Sequence, residues 1–221
     1  MNPLYIYGAS GHAKVVIDIA EKCGCWEIRG IFDDNPKLIG TELFGYPILG
    51  GLSAIERLDP SQDRLFVAIG SNAARRRIGR ALMERGFELP SLVHPTAVIG
   101  RNVRIGRGTA VMAGVVVNPA TDVGDLCILN TGCTVDHDNT LCEAVHVSPG
   151  AHLAGNVRVG DESWVGIGSS VIEGRTIGDR CMIGGGAVVI ANVRDDTTVA
   201  GVPAAPIVVG ARMTGTKAGA A

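Results

Sequence analysis

Asn130-Thr131-Gly132-Cys133-Thr134-Val135-Asp136-His137-Asp138 holds the groups best suited to proton transfer in this 221-residue chain. A neutral imidazole near pH 7 can take a proton from an amine or a hydroxyl. A neighbouring carboxylate can fix its tautomer and favour the imidazolium that forms. His137 and Asp138 supply both groups, on condition that two adjacent side chains can meet. A lone histidine at a turn is otherwise a surface residue.

A second candidate lies near the start. Leu4–Tyr7 reads as a strand, and Gly8-Ala9-Ser10-Gly11-His12-Ala13 follows it. A helical pattern then runs through Val15, Val16, Ile19 and Ala20. A turn from strand to helix offers backbone N–H groups and a helix N-terminus to phosphate. The dinucleotide fingerprint is met only loosely, because Ser10 stands where glycine is expected. Asp33 follows at about the distance of an acid that meets a ribose or base. A plain turn, NAD binding and binding of a nucleotide joined to a sugar are the three readings. NAD normally needs two mononucleotide halves and roughly ninety residues supply one, so the third is preferred.

These residues must be carried by two kinds of element. Around the turn, Ile28–Phe32 and Leu65–Ile69 read as further strands and Pro47–Leu49 as an extended piece. Ser53–Leu58 and Ala73–Glu84 read as helices. Alternation of strands and helices predicts a small parallel α/β sheet. Arg75, Arg76 and Arg77 could reach phosphate, but such a run reads better as a solvated helix face.

From Ile99 the chain falls into blocks of six. Ile99, Ile105, Val111, Val117, Val123, Leu129, Val135, Leu141, Val147, Leu153, Val159, Val165, Val171, Ile177, Ile183 and Val189 open successive blocks without an insertion. The fifth place is mostly small or β-branched, from Val103 and Thr109 to Ala187 and Val193. Gly100, Gly106, Gly124, Gly160, Gly166, Gly178 and Gly184 take second places, where turn torsions are expected to require glycine. A strict six-residue period fits neither helix nor simple strand. It predicts a solenoid of short strands and turns, with the aliphatics stacked inward.

Composition narrows the classes of function. Hydrophobic residues make up 46% of the chain and aromatics 4%. That suits a narrow aliphatic core and argues against a stacking platform for single-stranded nucleic acid. A net charge of −2 gives no attraction to nucleic acid or an anionic membrane. No signal peptide or membrane span is expected. Cys23, Cys25, Cys127, Cys133, Cys142 and Cys181 read as reduced thiols of a cytoplasmic protein.

The hexapeptide pattern resembles that of the hexapeptide-repeat acyltransferases, which implies a left-handed parallel β-helix with three blocks per coil. Tyr5–His12, Ile31–Asp34, Ala68–Gly70 with Asn72, Asn130–Thr131, His137, His146–Val147, Leu153–Val157, Gly184–Ala187 and Gly201–Pro203 extend the likeness. In that order they resemble the bacterial acetyltransferases of nucleotide-linked 4-amino-4,6-dideoxyhexoses. The related sialic acid O-acetyltransferases share the layout.

The resemblance implies acetyl-CoA as co-substrate, a homotrimer with active sites between subunits, and no metal. It implies His137 as general base, oriented by Asp138. His146, Gly155, Ile167 and Gly185 would contact acetyl-CoA, Gly155 through its N–H at the acetyl carbonyl. Gly8, Ser10, Gly11, His12, Asp33, Asp34, Gly70, Asn72 and Asn130 would hold the nucleotide sugar, whose base (UDP, GDP or dTDP) stays open. His146 lies half a coil from His137, so one chain should not bring them together. Left-handed β-helices also carry zinc on three histidines, but His137, His146 and His152 are not spaced to stack on one edge. The family typically has a basic residue after Gly201-Val202-Pro203, where Ala204-Ala205-Pro206 follow here.

The expectation is therefore an α/β N-terminal Rossmann-like domain over residues 1–92, a left-handed β-helix over 93–203 and a tail over 204–221. The expected activity is N-acetylation of the sugar amine. O-acetylation of sialic acid and a non-catalytic nucleotide-sugar module remain the alternatives.

Overall fold

The computed structural model describes residues 1–207. Of the tail expected over 204–221, residues 208–221 lie outside the described residues, while Ala205–Pro206 is a strand. The N-terminal unit is built on β1 (Asn2–Tyr7), β2 (Trp26–Phe32), β3 (Glu42–Leu43), β4 (Tyr46–Gly50) and β5 (Arg64–Val67), in the order β3-β4-β2-β1-β5. β1, β2, β4 and β5 are parallel, while β3 forms an antiparallel hairpin with β4. The sequence did not show this hairpin, because Glu42–Leu43 is too short to display an alternation. Ser53–Leu58 is a single 3-10 segment over Leu52–Arg57.

Helix α1 (Gly11–Cys23) buries Ala13, Val16, Ile17, Ile19 and Ala20. It ends at Gly24, whose φ of 67° is the left-handed C-cap that glycine adopts without a Cβ penalty. Helix α2 (Asn72–Glu84) buries Ile78 and Leu82. Because β1, β2 and β5 run parallel, their C-terminal ends place Gly8, Asp33 and Gly70 at one edge of the sheet, where ligands of open α/β sheets bind.

The second unit is the expected left-handed parallel β-helix. Each coil advances 18 residues and contributes two-residue strands to three faces. A six-stranded face starts at Val98–Ile99 and a five-stranded one at Arg104–Ile105. An eight-stranded one starts at β6 (Leu92–Val93), which already pairs with Ala110–Val111. Ala205–Pro206 closes the eight-stranded face antiparallel to Thr198–Ala200. The opening aliphatics point inward: Val117, Leu129, Val135, Val147, Val159, Val165 and Ile183 are at most 1% exposed.

Two expectations about the repeat are corrected. The second-place glycines do not have positive φ; left-handed torsions fall on the fourth places, including Asn102, Ala120, Asp138, Asn156 and Glu162. Second-place glycines are needed because coils pack closely: a Cβ at Gly106 would lie 2.4 Å from the Asp125 nitrogen. Val193 is not a corner filler. It bridges Ile177 at an offset of 16 residues rather than 18, so the last coil is two residues shorter.

The two units share a core. α2 sits on the corner between the five- and eight-stranded faces, where Gly79 comes so close that a Cβ would meet Leu126 Cδ2 at 2.5 Å. Arg75 and Arg76 of α2 do not belong to a solvated face, although Arg77 is exposed. Arg75 is 1% exposed, and all five of its N–H groups are used. They reach Leu126 O (2.7 Å), Ala144 O (2.9 Å), Ile69 O (3.0 Å), Gly70 O (3.1 Å) and Asn72 Oδ1 (2.9 Å). Arg76 pairs with Glu143, Asp161 and Glu162, and Arg80 with Glu143. Acidic residues on successive solenoid turns recruit these cations, a pairing that helix periodicity could not reveal.

Candidate active site

His137 occupies the third place of its block, at the corner between the six- and five-stranded faces, and its side chain is 55% exposed. Asp138 follows with φ 58°, a left-handed conformation that aspartate tolerates. That torsion folds its carboxylate back onto the neighbouring ring, with Nδ1 to Oδ2 at 2.8 Å. Adjacent side chains therefore do meet. With Nδ1–H donated to Asp138, Nε2 is left to accept a proton. The hydrogen bond that His137 donates to Asp138, with the charges of Asp136, Asp138 and Glu173 nearby, holds the imidazole above its ordinary range. Asp136 Oδ1 accepts the His137 N–H at 2.8 Å and is itself held by Asn118 Nδ2.

Gly155 lies one coil later in the same third place. A Cβ there would fall 2.7 Å from His137 Nε2, so only glycine leaves room for the ring. Among the described residues the Gly155 N–H has no acceptor. A base and a free backbone donor thus stand side by side, the pairing that acyl transfer requires.

Asn130, Ile167 and Gly185 lie at a different corner, between the eight- and six-stranded faces. Ile167 is 63% exposed, and a Cβ on Gly185 would lie 3.1 Å from its Cγ2. His146 belongs to the eight-stranded face and is 7% exposed, so it is not a plain surface residue. Its ring stacks on Trp164 at 4.7 Å, and Asn130 Nδ2 donates to its Nε2 at 3.2 Å. Trp164 Nε1 in turn donates to Ser148 Oγ at 2.6 Å. Burial, with Arg75 and His12 close by, pushes His146 down to about 3. The whole six-stranded face separates this corner from His137.

At the sheet edge Gly8 has φ 112°, and a Cβ there would meet Ala68 O at 2.8 Å. Ser10 is the N-cap of α1, with its hydroxyl making no capping bond. Asp33 Oδ2 accepts from the Ala9 N–H at 2.8 Å, and Asp34 Oδ2 accepts from Tyr7 Oη at 2.5 Å. Asp34 Oδ1 takes the Leu52 N–H. Both carboxylates thus brace the loops around the turn. His12 is driven by burial, with Arg75 nearby, down to about 4, and among the described residues its Nε2 is buried without a partner, as is His146 Nδ1. Both rings are neutral at pH 7.

Asn72, expected to hold the nucleotide sugar, instead uses its amide within the protein. It is 7% exposed and donates to Glu162 O (2.9 Å) and Ser163 O (3.2 Å), while its Oδ1 accepts from Arg75. It brackets the two units. Arg75 and Trp164 were missed in the sequence, since neither shows its partners there. Among the described residues no group of three or more His, Cys, Asp or Glu is placed to hold a metal. All six cysteines are free, and no described helix is long and apolar enough to cross a membrane.

Residues 3–82 match the PglD N-terminal domain family. Two solved structures share the fold over 94% of this chain. The acetyltransferase domain of PglB from Neisseria gonorrhoeae FA1090, in complex with acetyl coenzyme A, is 39% identical with a TM-score of 0.88, and all of that chain is covered. PerB from Caulobacter crescentus, in complex with CoA and GDP-perosamine, is 41% identical with a TM-score of 0.87 and 98% covered. The GDP-perosamine N-acetyltransferase of Escherichia coli O157:H7 is 28% identical over 180 residues, which are 79% of this chain and 80% of that protein.

Proposed function

Starting from a chain that belongs to the hexapeptide-repeat N-acetyltransferases of nucleotide-linked amino sugars, we propose that it acetylates the C4 amine of a nucleotide-linked 4-amino-4,6-dideoxyhexose. The protein is an acetyltransferase, with acetyl-CoA as donor. The observation that carries the reading is His137, paired with Asp138 at 2.8 Å and standing against the unpartnered N–H of Gly155. In this mechanism His137 Nε2 removes a proton from the sugar amine as nitrogen attacks the thioester carbonyl. The Gly155 N–H meets the oxygen on which charge develops. Collapse of the tetrahedral intermediate breaks the C–S bond. The proton held by the imidazolium leaves with the thiolate, so the products are the amide and free CoA.

His146, Ile167 and Gly185 support a pantetheine track on the other corner, where Asn130, expected at the nucleotide sugar, also lies. A single prism keeps that track a full face away from His137, so the reading requires neighbouring copies, each site completed between two subunits of a homotrimer. The sheet-edge turn Gly8, Ser10, Gly11 and His12, with Asp33, Asp34 and Gly70, supports the nucleotide.

Thiol release from acetyl-CoA against UDP-, GDP- and dTDP-linked 4-amino sugars, with sialic acid alongside, tests the proposal. One amino sugar is expected to react. His137→Ala should lower kcat by about 10²–10⁴-fold with acetyl-CoA binding retained. Release only with sialic acid would overturn the acceptor class, and wild-type turnover in a folded His137→Ala protein would remove the base.

A further inference from the structure

Most polar fifth-place residues of the solenoid repeat one device. Thr109, Thr121 and Ser163 each donate a hydroxyl to the carbonyl 15 residues on, at Gly124, Asp136 and Gly178. Thr109 and Ser163 also accept the N–H 18 residues on, at Cys127 and Cys181. Such residues latch each coil to the next. Asn139 also takes a fifth place, in the column of Val103, Thr121 and Val157, and is 1% exposed. Its Nδ2 donates to Ala154 O (3.0 Å), 15 residues on, and its Oδ1 accepts the Val157 N–H (2.9 Å), 18 residues on.

An amide has a second N–H where a hydroxyl has none. Asn139 Nδ2 also reaches Asp136 O at 2.6 Å and lies 3.3 Å from His137 O. One buried side chain therefore gathers the carbonyls on either side of the His137 nitrogen. It also holds the carbonyl of the Ala154–Gly155 peptide. The nitrogen of that peptide carries the free Gly155 N–H. Donation to a peptide oxygen draws electron density from its nitrogen and strengthens the N–H as a donor. It also fixes the plane in which that N–H points.

We infer that Asn139 is a positioning residue for acetyl transfer, locking the His137 turn to the Ala154–Gly155 peptide so that base and oxyanion donor keep one fixed geometry. The inference rests on the proposed acetyl transfer at Gly155. Asn139 touches no reacting atom. It acts through the backbone of the two residues that do.

The test compares Asn139→Val and Asn139→Thr with the wild-type full chain. Valine fills this same column at Val103 and Val157, and threonine at Thr121, so both fit the coil. Steady-state kinetics are read with the accepted amino sugar. The infrared carbonyl band of bound [1-¹³C]acetyl-CoA is read without any acceptor. Asn139→Val is expected to lower kcat by about tenfold or more, below the ~10²–10³-fold cost of deleting an oxyanion donor, with both KM values within about twofold. Its thioester band should move back towards that of free acetyl-CoA. Asn139→Thr keeps a donor to Ala154 O and should retain most of the kcat and the band position.

Wild-type kcat and band position in Asn139→Val would overturn the assignment. So would a loss confined to thermal stability, or equal losses in the valine and threonine variants. If the wild type acetylated no amino sugar, the acceptor reading would fail, while the band comparison would still decide the role of Asn139.

Discussion

In the proposed mechanism His137 is the base, and the residues around it set the pH at which it would work. A general base must be neutral. Because the Asp138 hydrogen bond and the surrounding carboxylates raise the His137 pKa, activity is lost by protonation as pH falls through that raised value. kcat/KM is therefore expected to climb with pH and level off above a limb displaced upward from the ordinary imidazole range. Asp138→Asn should move the limb to lower pH and reduce the plateau, read from pH–rate profiles of the two proteins. An unmoved limb would mean that Asp138 does not govern the base. His146 is a different kind of histidine. Stacked on Trp164 and pushed down to about 3, it stays neutral across the working range and contributes no acidic limb.

At the scale of elements, α2 joins the N-terminal α/β unit to the solenoid. Arg75 takes its charge into the interface and satisfies every N–H on carbonyls and Asn72, which ties the Ile69–Gly70 loop to the turns at Leu126 and Ala144. Gly79 sets how near the helix can come. Gly79→Ala would press a methyl into the buried Leu126 side chain and should destabilise the protein by about 1–3 kcal/mol, measured by denaturant unfolding. Acetyl-CoA binding should change little, because the track proposed for pantetheine lies on another corner. Unchanged stability would show that the helix can retreat without cost. The six-residue period made the solenoid legible, since each inward aliphatic recurs in sequence. The bracket of Asn72, Arg75 and Arg76 was not legible, because its partners lie 51–91 residues away and are partly backbone carbonyls.

Over the whole molecule, the buried histidines couple stability to pH. His12 and His146 fall from the ordinary 6.5 to about 4 and about 3 in the folded state. Between those values and 6.5 the unfolded chain binds more protons than the folded one. Stability is then fully present above about 6.5 and declines as pH drops towards about 4. The thermal midpoint is expected to fall over that window, and His146→Gln should flatten the fall. A midpoint that stays level from pH 6.5 to 4 would contradict the burial of both rings.

Sequence alone determined the solenoid and its inward aliphatics, which follow from a period written along the chain, and the α/β unit before it, which follows from the alternation of strands and helices. The three blocks per coil that align His137 with Gly155 were implied by the family resemblance. The tertiary structure alone decided which glycines are needed for close packing and which residues take left-handed torsions. It alone showed that the φ of Asp138 turns its carboxylate onto the neighbouring imidazole. It also turned an apparently solvated run of arginines into an interface and gave the fifth-place Asn139 its three carbonyls. Those contacts join residues through backbone atoms of neighbouring coils, and a backbone carbonyl has no identity that a sequence can display.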